Sequence, residues 1–486
     1  MVVGRGGGPD CLCLGFCNSP ATASPRILIG AEMTKKQIRL NAFIMNTPVH
    51  LSPGLWRHPR DTATSFTQLS HWLELARLWE RGLFDGVFLA DVLGPYDVYG
   101  NSPKAAISHG VQLPAHDPLL LVPAMAAVTT HLGFGVTVSL TYEPPFLLAR
   151  RFSTLDHLTQ GRIGWNIVTS YLDSAARALG LARQHAHDDR YEAAEDYMRA
   201  VYGLWERSWA DDAVRLDRDK GVYADPEKVR VIHHDGQEGS MHALHLVQPS
   251  PQRSPVLYQA GSSGAGQAFA ARHAECVFVS GPTQAVIGPR VARLRAAAQT
   301  VGRRDEDILV FAMATAIVAP TREEAMRKLA EYKTYIDHEG ALTLLSGWLG
   351  IDYSEYEMDQ KIRYIENDAG RAALENFTKA DPAREWTVRE VTEHVALGGM
   401  GPVFVGSAAD VADAMEDWIA RTGIDGFNLA YAVLPETFAD IVDLLVPELQ
   451  ARGCYKTEYA PGTLREKLFG TGPYLADSHP ARQGAA

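Results

Sequence analysis

Short apolar runs recur along this chain, and between them apolar residues return every three or four positions. The runs at 37–44, 85–90, 133–140, 162–168, 255–260, 275–280, 308–318 and 426–432 are continuously apolar rather than alternating. That pattern predicts parallel strands buried on both faces. Helical periodicity covers 68–81, 117–130, 145–159, 190–206, 264–274, 284–300, 321–335, 407–421 and 437–451. Eight strands alternating with helices predict an α/β fold, a (β/α)8 TIM barrel. A doubly wound open sheet is the alternative, disfavoured because no Gly-x-Gly-x-x-Gly follows the first run. Segments 92–116, 207–250 and 336–400 are too long for ordinary connections and read as insertions on a single domain spanning 33–486.

One turn stands out chemically. Pro255-Val-Leu-Tyr-Gln-Ala-Gly-Ser-Ser-Gly264 runs from an apolar strand through a Gly/Ser turn into a helix. Such a turn aims backbone N–H groups, the hydroxyls of Ser262 and Ser263 and a positive helix end at one place, which suits a phosphate. A helix cap on the surface explains the same residues, so the turn needs company. In a barrel, company comes from the carboxyl ends of other strands. Asp91 closes the second run, Thr137 lies in the third, and Trp165, Asn166 and Ser170 lie in and after the fourth. His187 and Tyr191 begin the helix that follows. Each fits an ordinary structural role by itself, though an amide buried in a strand, as at Asn166, needs partners. Together they suggest a planar cofactor that carries a phosphate. Trp56, Arg57 and His58, after the first strand, are substrate-side candidates at the mouth or simply a packed loop.

Composition narrows the partners. A net charge of −12 argues against nucleic acid or an anionic membrane, and no apolar run reaches the length of a bilayer span. Cys11, Cys13 and Cys17 crowd into a Gly/Pro/Ser-rich opening that reads as a disordered extension over 1–32. A metal cluster lacks a fourth ligand nearby. A secretory signal would have a short, Pro-flanked core preceded by Asp10. Cytoplasmic residence is therefore the expectation, with no metal site.

Longer motifs carry a resemblance. GLWRHP (54–59), ERGLFDGVFLAD (80–91), the stretches at 126–146 and 154–170, HDDRYEAAEDY (187–197), PVLYQAGSSGAG (255–266) and EYAPGTLREKL (458–468) are similar to the bacterial luciferase-like flavin monooxygenases. The branch they resemble is that of nitrilotriacetate monooxygenase, dibenzothiophene-sulfone monooxygenase and pristinamycin synthase. GLWRHP and FLADVLGPYDVYG are similar to the members that oxidise dimethyl sulfide. The resemblance implies a barrel that binds FMN through Asp91, Thr137, His187, Tyr191 and Ser262. Where the family has Ser-Pro-Arg-Gly after its Gly-Ser, this chain has Ser263-Gly-Ala-Gly, so a positive partner for the phosphate must come from elsewhere. It further implies a homo-oligomer that takes reduced FMN from a separate NAD(P)H:flavin reductase, uses O2, and oxygenates a small molecule, here an organosulfur compound such as a dialkyl sulfide. A deazaflavin-dependent dehydrogenase of the same superfamily and a non-catalytic flavin-binding protein are the competing readings.

Overall fold

Eight strands close into a ring, each finding a parallel neighbour on both sides. In the computed structural model they are β1 (Arg39–Met45), β2 (Gly86–Ala90), β3 (Gly133–Ser139), β4 (Ile163–Val168), β5 (Val256–Gln259), β6 (Cys276–Val279), β7 (Leu309–Val318) and β8 (Gly426–Ala430). They pair in chain order, and the ring shuts where Arg39 of β1 lies opposite Gly426 of β8. The result is a (β/α)8 TIM barrel with its strands at the predicted places. Residues 35–236, 239–261, 263–363, 375, 377–378 and 384–483 are described by the structure. The opening segment 1–32 and Ser262 lie outside the described residues.

The outer layer includes α1 (Leu69–Arg81), α2 (Val122–Ala127), α3 (Pro145–Leu158), α4 (His187–Tyr202), α5 (Gly264–His273), α6 (Gln284–Thr300) and α7 (Arg322–Lys333). Later come α8 (His338–Leu349), α9 (Val388–Val395), α10 (Ala408–Thr422) and α11 (Leu464–Phe469). α1 shows why such segments dock: Trp72, Leu75, Ala76 and Trp79 return at helical spacing and are all buried. Among the described residues, no helix is long and apolar enough to cross a membrane.

Aromatic rings fill the lower barrel. Tyr258 stacks on Phe278 at 5.5 Å, and Phe88 meets Phe278 at 4.2 Å. Gly164 makes the room, since a Cβ there would lie 2.3 Å from the Tyr258 ring. α11 plugs the floor with Leu464 and Leu468. Its Arg465 is buried, pairs with Glu275 at 2.6 Å, and donates to the carbonyls of Gln252, Ser254, Pro255 and Pro473.

The three long segments have structure of their own. Segment 207–250 forms two antiparallel hairpins, Val214–Asp217 with Val222–Ala224 and Val231–Gly236 with Gly239–Leu244. The described part of 336–400 supplies α8 and α9, which build a second apolar cluster with Tyr96, Leu172 and Trp386 above the barrel. Gly347 lets α8 close down: a Cβ there would fall 1.8 Å from Tyr96 Cδ1. A further strand, Val403–Gly406, pairs with the part of β7 that overshoots the ring.

Candidate functional site

The carboxyl ends of the strands surround a cavity of about 430 Å³. Asp91, Thr137, Tyr191 and Ser263 all reach its wall. For His187 only the backbone is placed, as the first residue of α4.

Each wall residue is held by its strand or turn. Thr137 and Asn166 lie opposite one another on β3 and β4, and the Asn166 Nδ2 donates to Thr137 Oγ1 at 2.9 Å. Asn166 Oδ1 is buried with no partner among the described residues. Asp91 accepts the Val92 N–H at 2.9 Å. Burial, with the charge of Asp117 adding to it, pushes its carboxyl up to about 7. The Tyr191 hydroxyl is tied to Ser263, Gln259 and Thr169, and burial raises its pKa. Ser263 caps α5, its Oγ accepting the Gly266 N–H at 3.1 Å. A Cβ on Gly261 would lie 2.9 Å from the Tyr191 hydroxyl, and one on Gly266 2.7 Å, so only bare backbone fits under that oxygen.

Arg190 is the residue that sequence reasoning passed over. It is buried on the cavity wall beside Tyr191, and its guanidinium donates to the Ser170 carbonyl. It is the one arginine among the described residues that line the cavity. The motif HDDRY carried the signal, since Arg190 directly precedes Tyr191.

Arg57 and His58 require a correction, because neither lines this cavity. Arg57 donates to the Tyr335 carbonyl at 2.6 Å and to that of Gly54. His58 is buried against Tyr332 and Tyr335 with Glu331 3.1 Å from its Nε2. The loop after β1 is thus packed onto α7. Its earlier part does reach the cavity, through His50 and Leu51. The apolar part of the wall includes Phe43, Met45, Phe88, Phe278, Met313, Met400 and Trp348, and Gln112, Gln259, Ser280 and Asn428 line the cavity as well. A second cavity of about 340 Å³ shares Asp91, Gln112 and Thr137 with the first.

Comparison with known proteins agrees with this geometry. The luciferase-like monooxygenase family matches residues 48–426. Dimethyl-sulfide monooxygenase of Hyphomicrobium sulfonivorans is 46% identical over 450 residues, covering 92% of this chain and 94% of that protein. Long-chain alkane monooxygenase of Geobacillus thermodenitrificans (strain NG80-2) is 46% identical over 448 residues, covering 92% and 97%. The crystal structure of a riboflavin lyase with modified FMN and riboflavin superposes with a TM-score of 0.86 at 36% identity, covering 93% of this chain and all of that one. Sharing their barrel and nearly their whole length, the chain belongs to the luciferase-like monooxygenases and is a flavin-dependent monooxygenase.

Proposed function

We propose that this protein is the oxygenase component of a two-component system, using O2 and reduced FMN from a separate NAD(P)H:flavin reductase to oxygenate a small, weakly polar organosulfur compound such as a dialkyl sulfide. The observation that carries this reading is the division of the cavity. One end gathers Arg190, Tyr191, Gly261 and Ser263, a cation and hydrogen-bonding groups against bare backbone. That end suits a phosphate. Away from that group, Phe, Met and Leu side chains predominate, with His50, Gln112, Ser280 and Asn428 among them. Among the described residues of the wall, Arg190 is the one Lys or Arg and Asp91 the one carboxylic acid. A polycarboxylate would need several converging cations.

Tyr191, Arg190 and the Ser262–Ser263 turn would hold the phosphate, with His187 at the start of the same helix. Asp91, Thr137 and the unpartnered Asn166 Oδ1 would meet the ring edge. When bound, reduced FMN supplies two electrons and the reaction with O2, from which one oxygen atom goes to substrate and the other leaves as water. The protein's own residues would orient substrate and exclude water, with the apolar side chains of Trp348, Met400, Phe43 and Phe88 on the cavity wall. Chain similarity to a dimethyl-sulfide monooxygenase favours a thioether, and similarity to a long-chain alkane monooxygenase makes an alkane the comparison substrate.

Oxygen uptake and product formation with a flavin reductase, NADH and FMN test this reading over dimethyl sulfide, an alkane and nitrilotriacetate. Coupled turnover of the sulfide is expected. Turnover of the polycarboxylate alone would overturn it, and so would rapid NADH oxidation without the reductase.

A further inference from the structure

The barrel floor, at the opposite end from the cofactor cavity, carries a cavity of its own. It measures about 220 Å³ and lies between the start of β1 and the C-terminal stretch. Arg39, Lys456 and Lys467 all reach its wall, with Asp85 and Glu458 as the acids. Asp85 is already spent. Lys456 pairs with one of its carboxyl oxygens at 2.5 Å, and the Leu40 N–H donates to the other at 2.8 Å. Glu458 is exposed, where water and salt screen its charge. Arg39 and Lys467 form no ion pair among the described residues. Arg39 donates to the Leu468 carbonyl at 2.7 Å, and Lys467 to that of His131 at 3.1 Å.

The acids around the cavity are committed elsewhere. Glu80 accepts the N–H groups of Thr130 and His131, and Glu466 accepts the N–H and hydroxyl of Thr463. The ammonium groups, by contrast, converge. Lys456 and Lys467 Nζ lie 5.5 and 5.8 Å from the centre of one Tyr459 ring. That ring is fixed by its hydroxyl, which donates to the Phe84 carbonyl at 2.8 Å, and by stacking on His131 at 4.7 Å. Like charges gathered this closely repel. Burial, together with the charges of Arg162 and Lys456, lowers Lys467 to about 8, and Glu80 and Glu466 offset only part of that.

We propose that this floor cavity is a binding site for a phosphate group, free or on a small ester, held by Arg39, Lys456 and Lys467. Three cations drawn from separate parts of the chain match a dianion better than a single carboxylate. A phosphate bound there ties β1 to α11 and the stretch before it. Its effect falls on the stability of the closed barrel, at the end remote from the reaction. The site stands whether or not the reaction proposed above is correct.

Calorimetric titration of the full chain tests this, with ionic strength held constant by potassium chloride. Excess FMN keeps the Arg190 end of the upper cavity filled, and inorganic phosphate, methyl phosphate and acetate are the probes. Phosphate is expected to bind about tenfold more tightly than acetate and to raise the melting temperature. Methyl phosphate that binds as well assigns the site to an ester head group, and free phosphate alone assigns it to the inorganic ion; either supports the proposal. Lys467→Met and Lys467→Gln should each weaken phosphate about tenfold, and Lys467→Arg should recover most of the loss. In wild type, phosphate at twice its Kd should slow acylation of Lys467 by a succinimidyl ester about threefold, read by peptide mass spectrometry. That footprint decides the matter if the variants fold poorly. Phosphate affinity unchanged in both Lys467 variants, acetate bound as tightly as phosphate, or Lys467 acylated equally fast with and without phosphate each overturns the proposal. So does wild type that takes up no phosphate below about 10 mM.

Discussion

Asp91 shows how a single carboxyl can serve a site at the expense of the fold. Its ordinary pKa of 3.8 is raised to about 7, first by burial. The unfolded chain therefore gives up this proton more readily than the folded one. Its contribution falls as pH rises from about 4 to about 7 and is level above that. Asp91→Asn should stabilise the cofactor-free protein by about 1–3 kcal/mol at pH 8 and by nothing near pH 4. Denaturant melts across that range check the sign. Beside it, Tyr191→Phe is expected to weaken FMN by about 1 kcal/mol and Arg190→Met by about 2 kcal/mol, because a bond from a charged donor is the stronger. Fluorescence titration with FMN decides between them, and equal affinities for both variants and wild type would place the phosphate elsewhere.

Elements were far more legible in the sequence than side-chain destinations. Seven barrel strands lie within the apolar runs and β1 overruns its own by one residue, because strands buried on both faces leave an unbroken signature. Val403–Gly406 escaped notice, being four residues long and only partly buried. α4 begins at His187 rather than near 190, so Asp188 and Asp189 lie in its first turn. There they favour the positive end of the helix. Of the site, Asp91, Thr137 and Tyr191 could be found because strand ends and helix starts converge in a barrel. Arg57 and His58 misled because a loop's position in sequence does not say which part of it faces inward. His50, a few residues earlier, does line the cavity. α8 combines two faces: Leu344 and Leu345 are buried while Trp348 meets the cavity. Gly347→Ala should therefore force α8 and Tyr96 apart. We expect a loss of about 1–3 kcal/mol in stability, seen as a lower melting temperature, with coupling of NADH use to product reduced further than FMN binding.

At the scale of the whole molecule, the described C-terminal stretch belongs to the barrel as much as its strands do. Arg465→Met would leave Glu275 buried without its cation and should cost about 3–5 kcal/mol. The double variant Arg465→Met with Glu275→Gln should recover part of that loss in urea unfolding, which separates the ion pair from mere packing. By contrast, a chain starting at Met33 is expected to keep its activity, as the opening segment lacks apolar periodicity. An inactive but soluble product of that truncation would refute the expectation.

The floor contact made by Arg465 also bears on synthesis. Its partner Glu275 lies 190 positions earlier in the chain, and β1 waits for β8 before it has a second neighbour. A ribosome releases these residues one after another, so the early strands emerge with an open edge and an uncovered aromatic plug. The ring can shut only after Gly426–Ala430 has left the exit tunnel, and the floor only after Arg465 has. Flavin capture then belongs to the finished chain, and chaperone contact to the growing one.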